Sequence, residues 1–352
     1  MVKVMMIGTS KKSGGGISSA IRLIKKMPVW EKYSCYWLGT QIQRNVLWKL
    51  WYATKAAMIT PFLMWKYDII HFHMVPGTTL LIQLPELLVA RLYRKKIIME
   101  VHVGNQLVPY ADDIFFKWWF RQADLILLLS HKWELLFKEA YMDIQKPTDV
   151  LYNACEMIPP IPSEQKKKLI IFAGTIDDNK APDLLLKAWS CLKDKYPDWR
   201  VVFMGNGNID KYKQMSEELG VDDRVEFTDY IVGDRKYQQF HDASIYCMCS
   251  YVEGFPMVVL EAWSYSLAVI TTPVGGLPDV IEEGKNCLTF PFGESDKLAT
   301  QLERLICDEQ LRRNISNYGY KYAQDHFSLN VVSAHLERIY SNLLKHKNID
   351  CL

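Results

Sequence analysis

No apolar run in this chain reaches the roughly 18 residues that a membrane-spanning helix needs. The best candidate, Thr78 to Ala90, is broken by Gln83, Pro85 and Glu86. Excess charge of one sign is also missing. The 42 Lys and Arg stand against 40 Asp and Glu, a net of +2, which excludes a dedicated nucleic-acid binder. Cysteine is sparse and scattered. Cys247-Met-Cys249 has no second pair at metal spacing, so buried thiols in a reducing cytoplasm are expected rather than a zinc site. There is no internal repeat and no low-complexity tract, and Met1-Val2-Lys3-Val4 runs straight into a strand pattern, so no secretory leader is expected.

What is present is an ordinary globular composition, 49% hydrophobic and 23% charged over 352 residues, enough for about two domains. The neutral total hides an asymmetry. Residues 1–165 hold 20 Lys and Arg against 13 Asp and Glu, a net of +7, and the remainder carries −5. A basic half suits a phosphate-bearing substrate or an anionic membrane surface, although drift of surface charge gives the same numbers.

Short apolar runs alternate with helical stretches. Lys3–Gly8, Asp68–His73, Ile97–His102, Asp124–Ser130 and Asp149–Asn153 read as strands of one sheet. After the stiff polar stretch from Ile158 to Lys168 the alternation restarts with Leu169–Ala173, Val201–Gly205, Val225–Thr228, Ile245–Ser250 and Ala268–Thr272, and a short strand at Leu288–Pro291. Continuous apolar strands separated by helices indicate parallel sheets covered on both faces. The expected fold is therefore α/β, with two Rossmann-like, doubly wound domains: an N-terminal one over 1–160 and a C-terminal one over 166–328. From about Ser295 the chain reads as helical. Ligands of such sheets sit beyond the strand C-termini.

Four strand-end features carry candidate chemistry. Ser13-Gly14-Gly15-Gly16-Ile17 joins the first strand to a helix, where glycines and free N–H groups admit an anion. The same turn is as readily structural. In Glu253-Gly254-Phe255-Pro256-Met257-Val258 through Glu261, Pro256 suits a first helical turn. The N–H groups of Met257 and Val258 then face outward toward a phosphate. Glu253 and Glu261 flank that point as acceptors for sugar and ribose hydroxyls, or as a capping carboxylate and a solvated helix residue. Gly174-Thr175-Ile-Asp-Asp-Asn-Lys180 offers Lys180 to a diphosphate. His102 closes a strand, where a lone histidine is either a ligand contact or structural.

In this order these pieces resemble the retaining family-4 (group 1) glycosyltransferases of GT-B fold, over nearly the whole chain and most strongly from Leu169 to Phe292. The matching features are Gly15-Gly16-Ile17, His102, Asn153, Glu253-Gly254-Phe255 through Glu261-Ala262, and Pro273-Val-Gly275-Gly276-Leu-Pro278. The resemblance implies two domains facing each other across a cleft, with a C-terminal helix, 329–352, crossing back onto the first. It implies that Glu253, His102 and Lys180 serve the reaction. Glu253 and His102 would meet the donor sugar, Glu261 the ribose, and the N–H groups of Gly16, Met257 and Val258 the diphosphate, with Gly15, Gly254, Phe255, Gly174 and Thr175 lining the donor. No metal and no cofactor beyond a nucleoside-diphosphate sugar is expected. The implied acceptor is a glycan or lipid-linked saccharide in cell-surface polysaccharide synthesis, in the cytoplasm or peripherally on its membrane.

The chain departs from the family at Thr175, where Arg is usual, leaving Lys180 as the loop's one cation. Ala181 and Ser266 stand where Gly is common and Asp279 where Glu is. Two other functions keep the same architecture: a nucleotide-sugar epimerase, and a catalytically inactive glycan-binding subunit, which Thr175 favours. On the acceptor side, Val46, Leu47, Leu50, Trp51 and Thr54 share helical spacing with Trp48, Lys49, Tyr52 and Lys55 around the flank. This pattern fits either a packing helix or one resting on a membrane.

Overall fold

The computed structural model describes residues 2–42 and 44–345. Residues 346–352 of the expected C-terminal helix lie outside them. The chain forms two compact units, one of residues 1–154 with 329–352 and one of residues 155–328. The division falls after Ala154 rather than at 160. Cys155 N–H donates to Phe327 O at 2.8 Å and Tyr320 OH to Ile158 O at 2.8 Å, which ties the start of the polar stretch to the second unit. The charge asymmetry sharpens on this division. The first unit holds 23 Lys and Arg against 13 Asp and Glu, a net of +10, and the second holds 19 against 27, a net of −8.

The first unit runs β1 (Val4–Thr9), α1 (Gly16–Lys25), α2 (Pro28–Lys32), β2 (Tyr36–Gln41), α3 (Val46–Met64), β3 (Ile69–Met74), α4 (Thr78–Leu92), β4 (Lys96–Val101), α5 (Ile114–Arg121), β5 (Leu125–Leu128), α6 (His131–Ala140) and β6 (Thr148–Val150). Its six strands are all parallel, in the order β2-β1-β3-β4-β5-β6. Strands β1 and β3 are buried along their full length, because helices cover both faces of a parallel sheet. Strand β2 is absent from the strands expected above. It is an edge strand whose burial alternates, so it carries no continuous apolar run to read.

The second unit runs β7 (Leu169–Ala173), α7 (Pro182–Ser190), β8 (Arg200–Met204), α8 (Ile209–Glu218), β9 (Val225–Phe227), α9 (Asp234–Asp242), β10 (Ile245–Met248), α10 (Met257–Ser264), β11 (Ala268–Thr271), β12 (Leu288–Thr289), α11 (Ser295–Cys307) and α12 (Glu309–Phe327). Its parallel order is β12-β11-β10-β7-β8-β9. Buried Trp189 and Trp199 anchor its core with Leu185 and Phe203. The last helix, α13 (Leu329–Lys345), returns to the first unit. There Tyr340 is wholly buried, with its ring 5.1 Å from that of Tyr33. The thiols are less uniformly buried than expected: Cys191 and Cys307 are exposed. Cys247 and Cys249 are buried, with sulfurs 3.6 Å apart.

Two of the departures from the resembled family have a structural cost. Ala181, at the N-cap of α7, has φ 46°, and Ser266, before β11, has φ 55°. Both hold the left-handed conformation, which costs an L-residue roughly 1–2 kcal/mol; glycine adopts it freely but loses about 0.5–1 kcal/mol of entropy. Ala181→Gly and Ser266→Gly are each expected to raise stability by about 0.5–1 kcal/mol. An unchanged or lower urea midpoint would contradict this.

Candidate functional site

In the second unit the expected site residues stand on three loops beyond the ends of β7, β10 and β11, as parallel sheets require. Asn179 fastens the first loop to the second. Its Nδ2 donates to Val252 O at 3.1 Å, its Oδ1 accepts Val252 N–H at 3.1 Å, and its carbonyl accepts Tyr251 N–H at 2.7 Å. That clasp sets the Lys180 ammonium against Glu253 Oε1, which also accepts Ser250 Oγ–H at 2.7 Å. The side chains of Lys180 and Glu253 are only 22% and 12% exposed, so the pair is partly shielded from solvent.

Glycines permit the loops to approach this closely. A Cβ on Gly205 would lie 1.7 Å from Gly174 O, and the methylenes of Lys180 cover Gly174 from the other side. Gly275 has φ 64°, and a Cβ there would sit 2.6 Å from both Glu253 O and Gly254 O. Gly276 N–H donates to Gly254 O at 2.8 Å. The third loop thus supports the second from below. Thr175 is exposed at the start of the first loop.

Pro256 is the N-cap of α10 and not its first helical residue. Met257 and Val258 open the helix, so their N–H groups have no intrahelical acceptor and carry the positive end of its dipole. Phe255 is buried and anchors the turn. One turn on, Glu261 is clasped by Lys236 of α9, whose ammonium lies 2.6 Å from Oε1 and 2.7 Å from Oε2. Each carboxylate of the Glu253/Glu261 pattern therefore has its own lysine. Lys236 and Asn179 were not legible as site residues. Nothing in their local pattern marks them, and only the packing of α9 on α10 and of one loop on another brings them in.

In the first unit, Gly15 caps α1 with φ 91° and Gly16 is its first residue. Ser18 Oγ–H reaches Gly14 O at 2.8 Å, and Arg22 donates to Ser13 O, so the turn is tied down while Gly14–Gly16 stay exposed. His102 is not a lone histidine. Its Nε2 lies 3.1 Å from Glu100 Oε1 and 3.0 Å from His73 Nδ1. His71 Nε2 lies 3.0 Å from Glu100 Oε2, and His71 Nδ1 is 2.9 Å from Tyr340 OH on α13. The network follows from the period of a strand. His71 and His73 point to one face of β3, and Glu100 lies beside His73 in the register of β3 with β4. Donor atoms of His71, His73 and Glu100 lie within 4.8 Å of one another, close enough for a metal. Of the atoms there, His71 Nε2, His73 Nε2 and Glu100 Oε2 make no hydrogen bond of good geometry among the described residues, although His71 Nε2 and Glu100 Oε2 lie 3.0 Å apart.

Burial works against ionisation of Glu100, but the facing His73 and His102 outweigh it and hold the carboxyl well below its ordinary range. Burial lowers His73 to about 4. The unfolded chain protonates that imidazole near 6.5 and the folded chain only near 4. Its contribution to stability is therefore present above about 6.5 and lost as pH falls toward 4. Glu86 on α4 does the opposite. It is buried, neither carboxylate oxygen meets a donor among the described residues, and burial raises it to about 7. Its contribution is present below 4.5 and lost as pH rises toward 7. Glu86→Gln is expected to raise the melting temperature at about pH 8, leave it unchanged near pH 4, and expose a steeper acid loss from His73. A variant no more stable than wild type at the higher pH would refute this.

Residues 156–322 match the family model of "Glycosyl transferases group 1". The match spans nearly all of the second unit and less than half of the chain. Over 190 residues, 52% of its length, the chain is 31% identical to the D-inositol 3-phosphate glycosyltransferase of Corynebacterium glutamicum, covering 45% of that protein. Over 194 residues it is 27% identical to a Campylobacter jejuni alpha-1,4-N-acetyl-D-galactosaminyltransferase whose name specifies a glycan on PP-undecaprenol, with 53% of each chain covered. The chain thus spans about half the length of the curated relatives it matches. The crystal structure of Anabaena HepE in complex with UDP-glucose superimposes with a TM-score of 0.73 at 17% identity, over 97% of this chain and 100% of that one. The fold is GT-B.

Proposed function

We propose that the chain is a retaining glycosyltransferase, moving a sugar from a nucleoside-diphosphate sugar to a glycan or lipid-linked saccharide in cell-surface polysaccharide synthesis. The observation that carries this is the Lys180–Glu253–Ser250 constellation beside the open N-terminus of α10, inside a group 1 domain. In this reading the N–H groups of Met257 and Val258, with Lys180, receive the diphosphate. Glu261, held by Lys236, accepts from ribose hydroxyls, and Glu253 accepts from hydroxyls of the donor sugar. Gly254, Phe255, Gly174 and Thr175 shape the surrounding loops. In the first unit, the amides of Gly15 and Gly16 take an anion-facing role and His102 a sugar-facing one.

The chemistry is a substitution at the anomeric carbon. The bond to the diphosphate oxygen breaks, the acceptor oxygen bonds on the same face, and its proton passes to the departing phosphate. Negative charge grows on the leaving group, where fixed N–H dipoles and an ammonium are most effective. The reading needs no metal. The lipid-linked acceptor is carried over from the Campylobacter relative's name.

Incubation with labelled nucleotide sugars and no acceptor tests this reading. Slow hydrolysis supports it, conversion to the epimeric donor supports an epimerase, and no change supports an inactive binding subunit. Lys180→Ala is expected to lower kcat/KM by roughly 10- to 150-fold, the value of one charge-assisted bond, and Glu261→Ala to weaken free nucleoside diphosphate to a similar extent. A drop below about threefold for Lys180→Ala, measured with the turned-over donor, would place the diphosphate elsewhere.

A further inference from the structure

Three histidines and a carboxylate meet inside the first unit, and the glycosyl-transfer reading uses only His102 among them. His71 and His73 are wholly buried, and Glu100 is 2% exposed. The strand period sets both imidazoles on one face of β3, their rings stacked with centroids 4.4 Å apart, and the register with β4 brings Glu100 alongside His73. Glu100 Oε2 lies 3.0 Å from His71 Nε2 and 3.5 Å from His73 Nδ1. His102 Nε2 lies 3.0 Å from His73 Nδ1 and 3.1 Å from Glu100 Oε1. The other nitrogen of His71, Nδ1, is 2.9 Å from Tyr340 OH on α13.

Protons do not close this network. An imidazole nitrogen either carries one hydrogen or offers one lone pair, never both. His102 Nε2 therefore cannot donate to Glu100 Oε1 and accept from His73 Nδ1 at the same time. His71 Nε2 and Glu100 Oε2 are as close as a hydrogen bond, yet each makes none of good geometry among the described residues. Where Tyr340 accepts from His71 Nδ1, His71 Nε2 presents a lone pair beside a carboxylate oxygen. A carboxylate oxygen buried in this way costs free energy unless a donor or a cation meets it. One divalent ion meets all three atoms at once. Ligand atoms held 2.0–2.1 Å from tetrahedral zinc stand roughly 3.3–3.4 Å from one another, and the 3.0 and 3.5 Å contacts of Oε2 bracket that edge. The donor atoms of His71, His73 and Glu100 all lie within 4.8 Å of one another.

We infer that His71, His73 and Glu100 form a buried structural site for a divalent cation of the zinc class, bound through His71 Nε2, His73 Nδ1 and Glu100 Oε2. Two imidazoles and one carboxylate suit zinc, whereas calcium and magnesium require shells of oxygen. Tyr340 then holds the outer nitrogen of His71, as the outer partners of metal-bound histidines do. His102 is the adjacent fourth donor, and as the most exposed of the group at 7% it marks the side of entry. The ion fastens β3 to β4 and, through Tyr340, to α13. None of its three ligands is assigned above to donor or acceptor, so the inference goes beyond the glycosyl-transfer reading and does not rest on it. The departure of the diphosphate still needs no metal.

The test uses the full chain, stripped with a chelator and then dialysed against zinc alone, buffered at micromolar free ion. One zinc per chain by elemental analysis is expected, with a rise of roughly 5 °C in melting temperature at a hundredfold excess over Kd. Glu100→Gln and His73→Gln are each expected to weaken zinc roughly 100-fold or more, and Tyr340→Phe, which touches only the outer nitrogen of His71, about 10-fold. His131→Ala/His335→Ala removes two histidines nearer the surface that also stand beside carboxylates, and is expected to change nothing. X-ray absorption of the zinc-loaded wild type does not depend on any variant folding. It is expected to show at least two imidazoles and a carboxylate oxygen at about 2.0–2.1 Å. Any one of four results overturns the proposal: wild type that retains almost no zinc, zinc lost with the surface histidines, wild-type affinity in Glu100→Gln, or a shell that contains sulfur or fewer than two imidazoles. Donor hydrolysis is measured apart from zinc content, so the transfer reading and this site fail independently.

Discussion

A carboxylate withdrawn from water must find a cation or several hydrogen bonds, and the second unit is arranged around that demand. Glu253 stands on a loop beyond β10 with most of its side chain covered. Lys180 comes from a different strand end and reaches it only because Asn179 clasps the two loops. Gly205 and Gly275 allow the approach on either side. The pair is thus a joint between loops before it is a binding device. Any anion that draws Lys180 away leaves Glu253 with Ser250 alone, so binding the anion and freeing the carboxylate for a hydroxyl are coupled in one motion of a side chain.

The first unit meets the same demand differently. Glu100 is buried in a strand, and no lysine meets it among the described residues. Its partners are imidazoles supplied by the alternation of β3 and by the residue that ends β4. Histidines can donate hydrogen bonds while neutral, so Oε1 of the carboxylate is met by His102 without importing a second full charge into the core, while Oε2 makes no hydrogen bond of good geometry among the described residues. The network begins at Tyr340 on the returning helix α13 and ends at His102, buried like the rest but the most exposed of them at 7%. The position and tautomer of His102 are therefore set by residues on three elements, and a substitution in α13 has a physical route to it.

Much of this was legible in the sequence and some was not, for identifiable reasons. Buried parallel strands announce themselves as apolar runs, and every strand of that kind was readable; β2, half exposed at an edge, was not. Glu253 and Glu261 lie within one continuous pattern, so they could be named. Their partners Lys180 and Lys236 lie 73 and 25 residues away in sequence. Lys180 was reachable through its glycine loop, while Lys236 is an unremarked residue of a polar helix. His102 looked solitary because the residues that engage it stand on a neighbouring strand and two positions back on its own. On α3 the periodicity was readable but its direction was not, since an apolar stripe has the same spacing whether it faces a core or faces out.

The charge of the two units bears on how an anionic donor could be held. The second unit carries −8 overall, and its two lysines at the candidate site are each already matched to a glutamate. The long-range field of that unit therefore opposes a diphosphate, and salt weakens this opposition over about 8–10 Å. What favours the anion must be local. Peptide N–H groups at the start of α10 keep their direction whatever the ionic strength, and they carry no counter-charge that has to be displaced. With Thr175 in place of a second loop cation, the balance shifts further toward these dipoles. The support that keeps them in place, buried Phe255 beneath the turn and Gly275–Gly276 behind it, then matters as much to the anion as any charged side chain.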